Sequence, residues 1–411
     1  MKILLMVLYF PPETRSSANL YYELATKFIK FGHEVFVITT SPNTGLSNKQ
    51  KRRKLGLFSA ESFEGITVIR VSVPRFLLHK SIFRGIWEFI CSILFFLAAY
   101  SVNPDIVLMY SPPLPLGLSG AALKKTRGIP FVFNVQDLYP QSIIDLGFLK
   151  NRFLIWFYER IECFIYWQAD HITVHSSGNK EHVLKKGIVP DKVSVLPNWV
   201  DTDFLCPGEK NNQFRKELEL NGKFVVSFGG VLGYSQNLDI ILEAAKQLAA
   251  YPEIIFLIVG DGSEKQRLIE KAKSMELSNL IFLPMLPRER YPEMLHASDV
   301  SLATLGPEVK TPVVPSKIIS IMAGGKPVIA SMQLSGDAPK IIKEAGCGIV
   351  VSPSDPKELS VAVIKLFHDQ HLCDEMGRKG REYAEKYFSL NAAGKRYLDL
   401  FQKYIIERNK Q

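Results

Sequence analysis

Short apolar runs typical of buried β-strands alternate with amphipathic stretches along the whole chain, and no other feature constrains the fold as strongly. Strands separated by helices predict parallel pairing, because a parallel connection needs a crossover that a helix supplies. The strand candidates form two series, one on each side of a segment at 198–208 that contains Pro207. Two such series predict two doubly wound, Rossmann-like α/β domains rather than one sheet.

The predicted boundaries follow from this alternation. The strand candidates are 3–8, 35–39, 67–71, 106–110, 131–135, 171–174 and 193–196, then 224–228, 255–259, 280–283, 300–303, 328–330 and 348–351. We predict an N-terminal domain over 1–205, a C-terminal domain over 206–385, and a helical stretch over 386–411 that crosses back onto the first domain. Ligands of open α/β sheets bind beyond the carboxyl ends of the strands, so we expect function in a cleft between two facing domains.

The charge of the chain is unevenly distributed. Residues 1–205 contain 23 Lys and Arg against 16 Asp and Glu, which is +7 of a net charge of +9. Such an excess predicts an anionic partner, which is nucleic acid, a membrane surface or a phosphorylated substrate. No nucleic-acid-binding motif is present, so we expect no nucleic acid partner. Five scattered cysteines without a CxxC pair favour a reducing, cytoplasmic compartment.

Two N-terminal segments indicate contact with an anionic membrane surface. Five cations lie within 49–54, directly before Leu55, Leu57 and Phe58; a solvated loop is the alternative interpretation. Apolar residues recur at helical spacing over 82–97, which favours a helix packed on a sheet, with partial seating in the membrane interface as the alternative. The uncharged run at 89–100 is too short to span a bilayer, which takes roughly 20 residues. We therefore expect a peripheral protein on the inner face of the cell membrane.

Two loops have the residue types of an anion site. Small residues at 229, 230 and 233 follow a strand candidate, where backbone N–H groups can approach a phosphate. This turn does not match GxGxxG, so it gives NAD binding little support. Ser316 and Lys317 precede a helix and place a hydroxyl and an ammonium at its N-terminus. Ser316 as a plain N-cap beside a solvated Lys317 remains the alternative.

Acidic residues at strand ends are candidates for catalysis or metal binding. Asp137 follows the strand at 131–135, where a carboxylate can bind a substrate hydroxyl or take its proton; a loop cap is the alternative. Asp201 and Asp203 form a D-x-D pair that can bind a cation, but capping of a strand-to-linker turn is the favoured interpretation.

The segments that carry these motifs follow one another in a characteristic order. They are 9–13, 136–140, 169–174, 197–204, 259–262, 297–300, 315–317, 323–330, 344–351 and 355–359. In sequence and order they resemble GT-B-fold glycosyltransferases of family 4, particularly bacterial enzymes of colanic-acid, O-antigen and capsule biosynthesis. The resemblance runs nearly from end to end of the chain.

This resemblance implies transfer of a sugar, with retained anomeric configuration and without metal or other cofactor. The C-terminal domain would hold a nucleotide-diphosphate donor, with UDP preferred, and the N-terminal domain a polyprenyl-diphosphate-linked saccharide. Gly230, Ser316 and Lys317 would bind the donor diphosphate, and Arg15 and Ser16 would approach it from the other domain.

Further roles come from the same resemblance. Asp137 would contact the transferred sugar or the acceptor hydroxyl, which makes Asp137 and Lys317 the candidate catalytic residues. The remaining donor-binding candidates are Phe282, Leu283 and Met285, which would line the base pocket through their backbone, and Ser320.

The chain also departs from the family pattern. Many relatives have two glutamates eight positions apart, and here those positions are Pro312 and Ser320, with Glu308 a candidate substitute for the first. The usual Arg and Lys of the glycine-rich turn are Gly230 and Gln236, so Lys317 is expected to be the principal cation. A GT-B-type nucleotide-sugar epimerase and a non-catalytic glycosyltransferase subunit remain alternatives to the transferase.

Overall fold

The computed structural model describes residues 1–13, 16–42, 56–73, 81–310 and 312–409, without the side chains of residues 16, 81–84 and 409. The chain divides into two compact units, unit 1 with Met1–Pro197 and Leu390–Gln411, and unit 2 with Asn198–Ser389. The two units meet in sequence at 197/198 and 389/390, whereas the boundaries predicted from the sequence are 205/206 and 385/386. Arg15 and the basic segment at 49–54 lie outside the described residues.

Unit 1 contains an eight-stranded sheet with helices between its strands. Its strands are β1 (Lys2–Met6), β2 (Glu34–Thr40), β3 (Phe58–Phe63), β4 (Ile66–Val71), β5 (Ile106–Ser111), β6 (Phe131–Val135), β7 (His171–Val174) and β8 (Val193–Val195). Its helices are α1 (Ser16–Lys30), α2 (Ser81–Ala99), α3 (Gly117–Arg127), α4 (Gln141–Asp145), α5 (Arg152–Gln168) and α6 (Ser177–Lys185), and the last helix of the chain, α15 (Leu390–Asn409). The strand order is β3-β4-β2-β1-β5-β6-β7-β8, and every pair except β3–β4 is parallel.

Strand β3 is the one antiparallel strand that the described part of this sheet contains, and the sequence analysis did not propose it. Five of its six residues are exposed, so it lacks the apolar run that marks the other strands. Its pairing depends on the turn at Glu64 and Gly65, where both residues have positive φ, 49° and 82°. A two-residue turn of this kind matches the twist of a hairpin, so backbone hydrogen bonds rather than side-chain burial hold β3 at the edge.

Unit 2 contains a six-stranded, wholly parallel sheet. Its strands are β9 (Phe224–Gly229), β10 (Ile254–Val259), β11 (Leu280–Leu283), β12 (Val300–Thr304), β13 (Val328–Ser331) and β14 (Gly348–Val351), in the order β11-β10-β9-β12-β13-β14. Its helices are α7 (Gln213–Glu217), α8 (Asp239–Gln247), α9 (Lys265–Ser274), α10 (Tyr291–Ala297), α11 (Ser316–Ala323), α12 (Asp337–Ala345), α13 (Pro356–His368) and α14 (Gln370–Phe388).

Both faces of the unit 2 sheet are buried. Val225 of β9 packs into one core cluster, whereas its neighbour Val226 packs into a second, and Leu257 and Ile258 of β10 divide in the same way. Successive side chains of a strand point to opposite faces, so continuous apolar runs require a helical layer on each side. The prediction of two parallel, doubly wound α/β domains is confirmed.

Helix α15 packs within unit 1, although it ends the chain. The Phe401 ring lies 5.7 Å from the ring of Phe28 on α1. Tyr404 shares a 2.9 Å hydrogen bond with His171 Nδ1. Among the described residues, no helix is both long enough and apolar enough to cross a bilayer.

A buried ion pair joins the start of β9 to the start of β12 in unit 2. Arg215 Nη2 lies 2.7 Å from Asp299 Oδ2, and both side chains are at most 2% exposed. The Val225 amide also donates to Asp299, and Arg215 donates to the carbonyls of Ala297, Leu220 and Lys223. The pair is therefore hydrogen-bonded on all sides, which is the condition under which a buried pair is tolerated.

Replacing Asp299 by Ala should lower the free energy of unfolding by about 3–5 kcal/mol, because it leaves the Arg215 guanidinium buried without a counter-charge. Chemical denaturation monitored by circular dichroism measures the loss. The matched control is Glu382→Ala, which breaks the exposed pair with Arg378 and should change stability by less than about 0.5 kcal/mol. Equal effects of the two variants would contradict this account.

Candidate functional site

In unit 2, the candidate donor-binding residues come together where β9 ends and α11 begins. Lys317 Nζ donates a 3.1 Å hydrogen bond to Gln236 Oε1 and lies 3.4 Å from the centre of the Phe228 ring. A Cβ atom built on Gly230 would lie 3.5 Å from the same ammonium, so the glycine-rich turn is in direct contact with it. We call Phe228, Gly230, Gln236, Ser316 and Lys317 the Lys317 patch.

The Lys317 ammonium is poorly solvated. Burial lowers the pKa of Lys317 to about 7, since loss of water penalises the charged form. Among the residues that the structure describes, no carboxylate pairs with it. A desolvated ammonium of this kind gains from an anionic ligand, and the neutral Gln236 side chain adds no like charge beside it.

The helix that follows adds donors to the patch. Helix α11 begins at Ser316, and the preceding Pro315 has no side-chain group that can cap the first amides. Ser316 is therefore the first helical residue rather than the N-cap, and its side chain is exposed. Ser320 lies one turn further on, where its hydroxyl donates to the Ser316 carbonyl. Uncapped amides at a helix N-terminus favour a phosphate group.

Two glycines that the sequence analysis left without a role fix the glycine-rich turn. A Cβ on Gly260 would lie 1.9 Å from the Gly230 carbonyl oxygen, and one on Gly262 would lie 2.3 Å from that of Leu232. The Leu232 amide donates to the Asp261 carbonyl at 2.9 Å. The loop after β10 thus supports the loop after β9 by backbone packing that only glycine permits. The Gly-Asp-Gly sequence was the available signal.

The predicted base-binding segment lies on the edge strand β11. The Leu283 carbonyl accepts from Gly260, and the Met285 amide donates to Asp261, so both groups are used within the unit. In a parallel strand, the amide and carbonyl of one residue point the same way, and alternate residues point to opposite sides. The backbone of Phe282 therefore faces the free edge of the sheet, where a base can pair with it.

In unit 1, Asp137 follows the carboxyl end of β6 and lies close to Tyr110 at the end of β5. Asp137 as a whole is an exposed residue, yet desolvation of its carboxyl group raises its pKa. Burial and the nearby Asp137 carboxylate raise the pKa of Tyr110, and a hydrogen bond with Ser17 partly offsets this increase. Tyr110 is therefore a further candidate site residue, which was not predicted from the sequence; a tyrosine at the carboxyl end of a strand was the available signal.

A buried hydrogen-bond network supports the loop that carries Asp137. Asn134 of β6 is its centre and bonds to Tyr21, Thr173, Gln136 and Tyr397. These residues come from α1, β7, the loop itself and α15, so side chains far apart in sequence fix one strand end. The network explains how the last helix of the chain contributes to the site in unit 1.

Other candidate residues lie elsewhere or are not described. Arg15 lies outside the described residues, and Ser16 begins α1 without a described side chain. Glu308 packs against Gly306 and lines a cavity of about 670 Å³ with Tyr234 and Arg267. The Asp201 carboxylate accepts from the amides of Asp203 and Phe204 at 3.0 and 3.2 Å, as a turn cap does.

Two parallel α/β units, one of which has a desolvated lysine beside a glycine-rich strand end, are typical of nucleotide-binding folds. The family model for glycosyl transferases group 1 matches residues 209–383, and that for glycosyltransferase family 4 matches residues 17–204. The two models together cover most of the chain, which belongs to the GT-B glycosyltransferases of this family. The resemblance drawn from the sequence motifs is confirmed.

Individual relatives agree with this assignment. WcaI of Escherichia coli K12, assigned as a glycosyl transferase of colanic acid biosynthesis, is 25% identical over 94% of this chain and 96% of its own length. WbjE of Pseudomonas aeruginosa, assigned as a glycosyltransferase, is 28% identical over 70% of this chain and 72% of its own. Among solved structures, Anabaena HepE in complex with UDP-glucose has a TM-score of 0.73 at 16% identity, covering 98% of this chain and 100% of that one.

Gly260→Ala should displace the glycine-rich turn, because the added methyl group meets a backbone carbonyl that cannot move alone. We expect a loss of about 1–3 kcal/mol in the free energy of unfolding. Chemical denaturation measures the loss. Gly233→Ala is the matched control, since a Cβ there meets its nearest atom at an ordinary 3.8 Å. Stability of Gly260→Ala equal to that of the wild type would refute the supporting role.

Proposed function

We propose that this protein is a retaining, metal-independent hexosyltransferase that moves a sugar from a UDP-sugar to a polyprenyl-diphosphate-linked saccharide. The observation that carries the proposal is the desolvated Lys317 ammonium beside the glycine-rich turn and the uncapped start of α11. The place of WcaI in colanic acid biosynthesis supports a role in bacterial surface polysaccharide assembly. The enzyme would act at the cytoplasmic face of the membrane, where such lipid-linked acceptors would be presented.

The chemistry places its largest charge change on the leaving group. The bond between the sugar C1 and the β-phosphate oxygen breaks, a bond from C1 to the acceptor oxygen forms, and the acceptor hydroxyl passes its proton to an oxygen of the departing diphosphate. The departing diphosphate gains negative charge, which the Lys317 ammonium and the first amides of α11 stabilise. These groups supply the positive charge that a metal ion supplies in other transferases.

Asp137 serves the sugar and acceptor side of the reaction. Its carboxylate lies at a strand end, and burial raises its pKa, which makes it a better hydrogen-bond acceptor for a hydroxyl than a fully solvated carboxylate. Tyr110 beside it offers a phenolic hydroxyl for the same ligand. Unit 1 would thus recognise hydroxyl groups, whereas unit 2 would recognise charge.

Two observations support UDP as the donor nucleotide. HepE, which shares the fold, has been crystallised with UDP-glucose. The outward-facing backbone of Phe282 offers one donor and one acceptor to a base, and Leu283 and Met285 flank it. Ser320 stands where relatives have the ribose-binding glutamate, and its hydroxyl would accept or donate one hydrogen bond to the ribose.

Lys317→Ala should lower kcat about 10²–10³-fold, because it removes the cation that meets the departing diphosphate. Turnover is measured with the UDP-sugar that gives the largest thermal shift in a donor panel. Lys340→Ala, which removes an exposed lysine of the same unit, is the control and should keep full activity. Wild-type turnover by a folded Lys317→Ala variant would sink the assigned role, and a donor isomerised without acceptor would indicate an epimerase instead.

UDP binding should weaken as the pH rises above about 7. The pKa of Lys317 is about 7 in the free protein, and a bound diphosphate raises it, so binding takes up a proton between these two pKa values. The affinity for UDP therefore falls by up to about tenfold per pH unit above pH 7. Below pH 7 Lys317 is protonated in both the free and the bound protein, so its titration no longer changes the affinity. Calorimetric titration across this range measures the slope. Lys317→Arg, which stays charged throughout, should abolish it; an unchanged slope in that variant would contradict the assignment.

A further inference from the structure

Helix α5 of unit 1 has an exposed face that is aromatic rather than polar. Phe153, Trp156, Phe164 and Trp167 are 68%, 51%, 48% and 64% exposed, and Arg160 lies between them on the same face. Their spacing of three and four residues places all five side chains on one stripe of the helix. The opposite stripe, which includes Tyr158, Ile165 and Tyr166, is buried in the core of unit 1. An exposed helix stripe is ordinarily polar, so this one needs a partner.

Helix α2 continues this apolar surface. Its exposed residues Ile86, Ile93 and Leu97, together with Tyr100 directly after its end, also follow helical spacing. The Phe89 ring lies 6.1 Å from the Phe157 ring of α5, and a Cβ on Gly85 would lie 2.8 Å from the Tyr158 hydroxyl. The two helices are therefore in contact near these residues, and the basic end of α3 lies between their C-terminal ends. We call the exposed residues of the two stripes, including Tyr100, the aromatic face.

Cations accompany the aromatic side chains of this face. The Arg127 guanidinium lies 5.3 Å from the Tyr100 ring, and that of Arg160 lies 5.8 Å from the Trp156 ring. Lys192 Nζ donates to the Trp167 carbonyl at 2.6 Å. Exposed Trp and Phe side chains next to Arg and Lys are the combination that suits the boundary between acyl chains and anionic headgroups.

We propose that the aromatic face docks the protein on an anionic lipid bilayer, with the side chains of α5 and α2 inserted at headgroup depth. The proposal deepens the proposed function, since it names the surface by which the enzyme would reach a lipid-linked acceptor. It favours a bilayer over a second copy of the chain because cations flank the aromatic rings, as attraction to anionic headgroups requires, whereas two copies would bring these cations together.

The tryptophans of the chain provide a direct probe of docking. Trp156 and Trp167 are exposed on the aromatic face, whereas the other two, Trp87 and Trp199, are 5% and 3% exposed. Adding vesicles of phosphatidylcholine and phosphatidylglycerol to the full chain should shift the tryptophan emission to the blue and allow quenching by brominated acyl chains. Pure phosphatidylcholine vesicles should give a weaker response, because the flanking cations then lack a counter-charge.

Matched variants distinguish insertion of the aromatic side chains from non-specific adsorption to vesicles. The double variant Trp156→Ser with Trp167→Ser should weaken partitioning to the anionic vesicles at least about tenfold. Trp156→Phe with Trp167→Phe should keep the binding and lose the blue shift. Val361→Ser, at an equally exposed apolar residue of unit 2, should change neither. Each variant is checked for an unchanged unfolding temperature.

Three results would overturn the proposal. These are vesicle binding that survives in the double Ser variant, no vesicle binding by the wild type, and light scattering that shows a dimer abolished by the double Ser variant. Calorimetric titration with UDP in the absence of vesicles tests the proposed function separately. Intact UDP binding with failed vesicle docking would reject the membrane surface alone, and lost UDP binding with normal docking would reject the donor site alone.

Discussion

Burial of parallel strands on both faces is the constraint on which the rest of this protein depends. A strand such as β9 or β10 offers no polar side chain to solvent along its length, so chemistry is confined to the loops after the carboxyl ends. The glycine-rich turn, the Gly-Asp-Gly loop and the end of β11 meet at one such edge in unit 2. The Asp137 loop and Tyr110 meet at the corresponding edge in unit 1. Each candidate site is therefore a consequence of the sheet.

Desolvation shifts the pKa values of the principal charged groups of the two candidate sites in opposite directions. It lowers the pKa of the Lys317 ammonium and raises that of the Asp137 carboxyl, because in each case the charged form loses water. A cation held in this way gains from a diphosphate, and a carboxyl held in this way gains from a hydroxyl. The aromatic face differs from both sites, because there the apolar side chains are exposed to water and the cations lie beside them.

Most of the strands and several candidate site residues could be predicted from the sequence. Continuous apolar runs located thirteen of the fourteen strands in the described part of the chain, and the residues flanking them located Lys317, Gly230 and Asp137. Strand β3 was missed because its side chains are exposed and its pairing is made by the backbone. Tyr110 and the Asn134 network were missed because their partners, from Ser17 to Tyr397, are separated by long stretches of chain. The exposed stripe of α5 was missed because its periodicity equals that of a buried helix face.

The sequence by itself determined the parallel α/β class, the motif order of the family and the positions of the strand-end loops, since local periodicity and composition encode these. Only the tertiary structure decided which groups meet. It brought Lys317 against Gln236 and Phe228, fitted Gly260 under the Gly230 carbonyl, and turned the aromatic stripe of α5 outward. The physical reason is that contact, desolvation and the direction of a helix face depend on packing between distant segments, which no local pattern records.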